Sequence, residues 1–302
     1  MEKQLHHITI CICTYKRSVM LVRLLKELHK QRTDDVFTYS AVVVDNDTAE
    51  SARQVVEDAR KEVRFSIDYF CEPEQNIALA RNKAVQNATG DFLALIDDDE
   101  IPNQDWLLDL YHSILAYNAD GVLGPVLPYY EIDPPGWVVK SKLCERKSFP
   151  TGTRLVNPRD TRSGNALLRI SIIAGNDKPF DYLFGRTGGE DVDFFRRMLN
   201  KGKVFIWCNE AYVREAVPPD RLKRMYFIKR ALLRGVAGSK NASLMSISAL
   251  KSVLAFVLYT AALPVLLVMG QHWFMKYLIK DCDHIGKLMA LCGIELVKER
   301  PL

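Results

Sequence analysis

Asp97, Asp98 and Asp99 follow directly on an apolar run over residues 92–96 and precede Glu100, Ile101 and Pro102. Three adjacent carboxylates closing a buried strand repel one another and raise each other's pKa unless a cation sits among them. A hard divalent ion, Mg or Mn, is the natural neutraliser. It needs one or two protein carboxylates and takes its other ligands from water and substrate phosphates. The plainer alternative is that these aspartates decorate the N-terminus of a helix begun near Pro102, where negative charge is favoured.

Three other groups of residues could act beside them. Gly188 and Gly189 lead into Glu190 and Asp191, so the backbone can approach a ligand closely and a carboxylate is held in a first helical turn, where it could serve as general base. Helix capping alone would favour the same residues. Arg81 falls near the start of a helix, where a cation gains nothing from the dipole; an anionic ligand or a carboxylate partner would explain it equally. Asp45 and Asn46 close a second strand, either to hydrogen-bond a base or ribose or to form an Asx turn. Thr14, Tyr15, Lys16 and Arg17 end the first strand at a helix entrance, a contact region for phosphate or base.

The elements that must hold these residues can be read from periodicity. Residues 8–14, 39–44, 65–70 and 92–96 have strand length and apolarity, while Leu21, Leu24, Leu25 and Leu28, then Val55, Val56 and Ala59, then residues 77–88, recur at helical spacing. Alternation of this kind predicts an α/β, Rossmann-like, mainly parallel sheet with helices on both faces. Ligands then sit beyond the carboxyl ends of the strands, where Thr14 to Arg17, Asp45 with Asn46, and Asp97 to Asp99 fall. A helix over 106–116 follows, then an irregular stretch from Gly121 through Pro134, Pro135, Gly136 and Pro150 that predicts a long functional loop or subdomain. Structure resumes over 165–170, 191–199 and 204–207, and the first domain is expected to run over 1–217, with a nucleotide-binding half over 1–104 and an acceptor-binding half over 105–217.

Composition narrows the function classes. With 48% hydrophobic residues in 302 the chain is not disordered, and a net charge of +4, from 41 basic and 37 acidic residues, carries no nucleic-acid signature. Seven cysteines without zinc-type spacing are those of a reduced cytosolic chain, and no export signal is read at the start. The six histidines lack metal-ligand spacing. Thr-Tyr-Lys-Arg after the first strand replaces the glycine-rich turn of a dinucleotide-binding domain, and of a sugar-nucleotide nucleotidyltransferase. A non-catalytic nucleotide-binding subunit would not need Asp99 and Asp191 intact.

From 218 to 302 the character changes. Arg221, Lys223, Arg224, Lys229, Arg230 and Arg234 form a basic helix, and the interval from Lys251 to Lys276 is uncharged, longer than the roughly 20 residues that span a bilayer. Pro264 interrupts it, and Lys276, Lys280, Lys287, Lys298 and Arg300 continue the positive charge beyond. Basic residues on both flanks favour both ends in the cytoplasm. The expectation is a kinked, membrane-associated helical hairpin on the cytoplasmic face of the inner membrane, with a single span second and a buried core helix third.

Taken together, Cys13-Thr14-Tyr15-Lys16-Arg17, Val44-Asp45-Asn46, Asn76 with Ala80-Arg81-Asn82, Asp97 to Asp99 and Glu190-Asp191 resemble the motifs of the family 2 glycosyltransferases, inverting enzymes of the GT-A fold. Gly124-Pro125-Val126, Pro135-Gly136-Trp137, Ser163-Gly164-Asn165, Glu215 and Arg221 are similar to the bacterial exopolysaccharide group typified by the succinoglycan β-glucosyltransferases. The resemblance implies a UDP-sugar donor, with Asp45 at the uracil, Arg81 at the nucleotide, Asp97 at the ribose or donor sugar, and Asp99, or else Asp98, on a Mn or Mg ion bridging the phosphates. It implies Asp191, with Glu190 beside it, as the base toward a lipid-linked or saccharide acceptor. Trp137 would either pack or contact that acceptor.

Overall fold

The structure is a computed structural model and describes residues 5–176, 178–185, 188–237 and 246–294. In chain order the elements are β1 (His6–Thr14), α1 (Ser18–Leu28), β2 (Phe37–Asp45), α2 (Arg53–Glu62), β3 (Ile67–Cys71), α3 (Ile77–Gln86), β4 (Phe92–Asp97), β5 (Glu100–Pro102), α4 (Trp106–Ala116), β6 (Gly121–Leu123), β7 (Val126–Tyr129) and α5 (Gly136–Ser141). There follow β8 (Arg154–Leu155), β9 (Asn165–Arg169), α6 (Glu190–Asn200), β10 (Phe205–Trp207), β11 (Val213–Ala216), α7 (Arg224–Ala237), α8 (Ile247–Met269) and α9 (Gln271–Leu291). The chain divides into two compact units, one of Met1–Leu127 with Arg146–Glu215, the other of Pro128–Glu145 with Ala216–Leu302.

The first unit is built on a sheet of order β3-β2-β1-β4-β9-β6-β10-β8. The pairs β1–β2, β2–β3, β1–β4 and β6–β10 are parallel, as the alternating pattern predicts. β9 runs antiparallel between β4 and β6, and β8 antiparallel to β10. Both arrive from an irregular stretch instead of the crossover helix a parallel neighbour requires.

Each face of the sheet has its own core. Leu21, Leu24, Leu25 and Leu28 are fully buried with Ile8, Ile10 and Ile12 on one face, each side chain contributing about 1.5–3 kcal/mol of burial. On the other, Cys11, Val42, Val44, Leu93 and Leu95 are buried with Ala78, Ala80 and Ala84 of α3 and Phe194, Phe195 and Met198 of α6. Strand residues alternate between the two, which explains why residues 92–96 of β4 are apolar throughout. Residues 100–102 form β5, antiparallel to β11, and the next helix begins at Trp106. The three aspartates therefore lead into a strand, and the helix-decoration alternative does not hold.

The second unit has a core of Val138, Val217, Leu222, Phe227, Ala231, Met275, Ile279 and Cys282. Trp137 is half-buried and packs edge-on to Phe227 at 5.7 Å between ring centroids, the packing role. α7 and α9 meet at a pair of glycines: a Cβ on Gly286 would lie 2.2 Å from Leu232 O, and one on Gly235 2.1 Å from Asp283 O. Beside them Arg234 grips Asp283 through two hydrogen bonds of 2.7 and 2.6 Å.

The apolar interval breaks elsewhere than expected. α8 runs unbroken through Pro264 and stops at Gly270, whose φ of +136° is open to glycine alone. Among the described residues α8 is the one helix long and apolar enough to cross a membrane. Leu254, Val257, Leu258, Val265 and Val268 are exposed along it, so it is not a buried core helix. Lys298 and Arg300 lie outside the described residues.

Candidate active site

Sheet register gathers the sequence motifs. Parallel pairing sets Thr14 opposite Asp45 and Cys13 opposite Asp97, so β1, β2 and β4 end at one level. Lys16, in the turn leaving β1, adopts φ +53°, and the chain then enters α1 after Arg17. Left-handed backbone costs a non-glycine residue about 1–2 kcal/mol.

Two clusters form at these ends. In the first, Thr14 Oγ1 donates to Asp98 Oδ2 at 2.8 Å. Arg17 Nη1 lies 3.0 Å from both Asp98 Oδ1 and Asp99 Oδ2. Asp98 is buried and its carboxyl is raised by that burial against the pull of Arg17. Asp99 is pushed up to about 6, by burial first and then by Asp97, with Arg17 opposing. One guanidinium is thus shared between these two carboxylates.

In the second cluster Arg81 bridges Asp97, at 3.1 Å, and Glu190. The carboxylate partner posed as one explanation of Arg81 is present, twice over. Glu190 is buried, its second oxygen Oε2 has no partner among the described residues, and burial raises its carboxyl despite Arg81. Asp191, next along α6, is half-exposed, with Oδ1 accepting from the Val192 amide at 2.8 Å. Gly188 and Gly189, at φ +76° and +101°, make the entry to α6 that aims these two residues.

The remaining expected residues brace the site. Asp45 is fully buried and accepts from Asp47 N, Ala52 N and Tyr69 Oη at 3.1, 2.7 and 3.1 Å; the first of these is the Asx turn. Asn46 donates to Glu72 O and Glu74 O and accepts from Asn76 N. Asn76 caps α3 through Ala78 N and Leu79 N, as its residue type predicts. Tyr15 hydrogen-bonds none of these carboxylates among the described residues; its ring lies under the Lys16 ammonium at 5.0 Å.

Several residues to which the sequence assigned no role also shape the site. Glu100 is buried, accepts from Asp97 N at 3.0 Å, and is raised well above the ordinary carboxylate range by burial and then by Asp97. A Cβ on Gly164 would lie 2.6 Å from Glu100 Oε1 and 3.0 Å from Asp97 Oδ2. Asn165 follows, accepting from Trp106 Nε1 and donating to Pro125 O and Ala211 O, which pins the start of β9. Arg146 pairs with Glu215, 69 residues away. A three-residue strand and a contact of that sequence separation leave no periodic signal.

No group of three or more His, Cys, Asp or Glu among the described residues is placed to hold a metal ion. That is compatible with Mg or Mn, which needs as few as one carboxylate when phosphates supply the rest. Of the two, Asp99 is the less engaged and could take such an ion: Asp98 accepts from both Thr14 and Arg17, whereas Asp99 accepts from Arg17.

A family model described as Glycosyl transferase family 2 matches residues 9–173. The chain is 35% identical over 238 residues to succinoglycan biosynthesis protein ExoM of Rhizobium meliloti (strain 1021), covering 78% of this chain and 75% of that one. It is 24% identical over 216 residues to ExoW of the same organism, covering 68% and 67%. Among solved structures it resembles S. aureus TarS, with a TM-score of 0.57 and 15% identity over 95% of this chain and 55% of that one. TarS 1–349 in complex with UDP gives 0.56 and 16%, over 95% and 90%. At such identity the likeness concerns the fold, which is GT-A-like.

Proposed function

Because the chain belongs to glycosyl transferase family 2, we propose that it is an inverting, metal-dependent hexosyltransferase. It moves a sugar, glucose by resemblance, from a UDP-sugar to a lipid-linked or saccharide acceptor in exopolysaccharide synthesis. The observation that carries this reading is the pair Asp98 and Asp99 at the end of β4, braced from the end of β1 by Thr14 and Arg17. ExoM and ExoW are named for succinoglycan biosynthesis, and TarS has been crystallised with UDP and with UDP-GlcNAc. These support the polymer and the donor class.

The roles follow from the side chains. Asp45 and Asn46, by fixing the turn after β2 and its tie to α3, shape the pocket edge for the uridine. Arg81, held between Asp97 and Glu190, is a buried cation whose field reaches the nucleotide while it fixes Asp97 toward the ribose or donor sugar. Asp99 would hold a Mn or Mg ion, which supplies charge stabilisation for the departing diphosphate. Asp191 accepts the proton of the acceptor hydroxyl as that oxygen attacks the anomeric carbon from the face opposite UDP. Glu190, locked on Arg81, positions the first turn of α6 that carries Asp191.

Membrane association is part of the proposal. α8, with its exposed apolar surface, and the basic α7 suit a cytoplasmic, lipid-facing location near an acceptor carried on a lipid. Labelling of a cysteine placed after Leu302 from outside intact cells would refute the hairpin arrangement. For the chemistry, membranes containing the protein are supplied with a panel of UDP-sugars and lipid-linked acceptor extract, with and without EDTA. Asp99→Asn should abolish metal-dependent UDP release, and Asp191→Asn should keep donor binding while losing transfer by about 10²–10⁴-fold; transfer at the normal rate by Asp191→Asn would remove the base assignment.

A further inference from the structure

In the second unit α9 packs against both α7 and α8, and charged side chains accompany it over most of its length. Arg224 of α7 donates to Gln271 of α9 at 3.1 Å and Arg234 to Asp283 at 2.7 Å. The two helices therefore run parallel, and α7 carries Lys229 and Arg230 along with α9. α8 lies antiparallel to α9: Thr260 donates to Asp281 at 3.0 Å, and Lys287 donates to Ser248 O at 3.3 Å. Along this seam the Lys280 ammonium stands over the rings of Tyr277 and Tyr259, at 4.7 and 6.0 Å, and Lys276 over Trp273 at 5.6 Å. The outer surface of α8 is opposite in character. Ala249 and Ser252 are its buried residues, whereas Leu250, Val257 and Val268 are exposed. At 3.6 residues per turn these three fall on one side of the helix.

Length and hydropathy alone would stand α8 upright in a bilayer, since its 23 residues reach about 34 Å, enough for a hydrocarbon core. Its neighbours forbid that orientation. Thr260 and Asp281 meet near the middle of α8, so an upright helix would carry Asp281 and Lys280 to the bilayer centre, and α9 would draw Arg230 and Arg234 of α7 in beside them. Ionised groups are strongly disfavoured at that depth. Laid flat, the same three helices present an apolar side to lipid and keep every charge at or above the headgroups. We infer that α8 lies in the plane of a membrane surface: its outer side enters the acyl boundary of an anionic leaflet, while Lys276 and Lys280, with Tyr259, Trp273 and Tyr277, sit at the level of the lipid phosphates. Tryptophan and tyrosine favour that level, and each lysine near an anionic leaflet adds attraction. The inference rests on the membrane association proposed above and fixes its orientation and its lipid charge.

The test uses the full chain with phosphatidylcholine vesicles, with and without phosphatidylglycerol. Dansylalanine is installed in turn at positions 250, 257 and 268, and its quenching by lipids brominated at different acyl depths reports how deep each position lies. Equal, shallow depths at the three positions are expected. A maximum at 257 would mean that α8 crosses the bilayer, and a depth rising steadily to 268 that it dips in as a re-entrant hairpin; either overturns the flat orientation. A Lys276→Gln/Lys280→Gln double variant should bind the phosphatidylglycerol vesicles about thirtyfold more weakly, with unchanged hydrogen-exchange protection of α9 showing that the unit is folded. Equal binding by a folded double variant would remove these lysines from the headgroups. Failure of the wild type to float with either vesicle would strike membrane association itself, and a dimer in solution with the dansyl groups shielded would assign the apolar side of α8 to a second copy of the chain.

Discussion

Glu100 and Glu215 are register partners across the antiparallel β5–β11 pair, two carboxylates set opposite each other beside Asp99. Like charges so placed are destabilising, and burial adds to the penalty at Glu100, whose carboxyl is raised well above its ordinary value. The folded chain therefore holds a proton there that the unfolded chain releases above pH about 4.3, so stability is lost as pH rises from that value toward the folded one. Glu100→Gln keeps an acceptor for Asp97 N and removes the ionisation. In EDTA the melting temperature of wild type should fall relative to the variant between pH 5 and 8, by about 2–4 °C per kcal/mol. Parallel melting curves at both pH values would show that Glu100 carries no such penalty.

Metal binding should compete with protonation at Asp99, whose carboxyl is pushed up to about 6 in the metal-free protein. Below that pH the proton occupies the site, so Mn affinity should be constant above pH 7 and fall about tenfold per pH unit well below 6. Titration calorimetry with Mn and UDP at pH 5, 6 and 7.5 measures it. A pH-independent affinity would exclude Asp99 as ligand.

Gly164→Ala inserts a methyl 2.6 Å from Glu100 Oε1 and 3.0 Å from Asp97 Oδ2. The closer clash forces the Glu100 carboxyl to shift, and with it the Asp97 amide it accepts from, while the Asp97 carboxylate gives by a few tenths of an ångström. Donor affinity should drop about tenfold or more while the melting temperature changes little. Unchanged UDP affinity would free Asp97 from any role at the donor.

Arg81→Met leaves Glu190 buried without its cation, a loss of about 3–5 kcal/mol. Adding Glu190→Gln should recover much of that stability without recovering transfer, because Asp97 remains unbraced. Denaturant unfolding and sugar transfer, measured on wild type, Arg81→Met, Glu190→Gln and the double variant, separate the structural role of Arg81 from its role at the nucleotide. Full activity in the double variant would make Arg81 structural alone.

In the second unit, Gly286→Val would force side-chain carbons into the Leu232 carbonyl. α7 and α9 must separate, and the 282–283 region should lose protection in hydrogen exchange, while UDP binding by the first unit persists. Retained protection would mean that the helices adjust without separating.

What the sequence determined by itself was local. Leu21, Leu24, Leu25 and Leu28 could only be one helical face, and the apolar run ending at Asp97 could only be a buried strand, because side-chain period and burial are properties of neighbours in the chain. With these came the level at which Thr14, Asp45 and Asp97 are displayed, since parallel strands share one carboxyl edge. Tertiary structure decided what those residues touch. That Asp45 accepts from Tyr69, that Asn46 ties to Asn76, that Arg81 reaches Glu190, and that Glu215 returns opposite Glu100 all depend on contacts tens of residues apart. The break at Gly270 instead of Pro264 has the same origin: proline removes one helical hydrogen bond, which α8 tolerates, whereas a backbone at φ +136° ends it. Periodicity reports which face of an element is buried. Only packing reports what it is buried against.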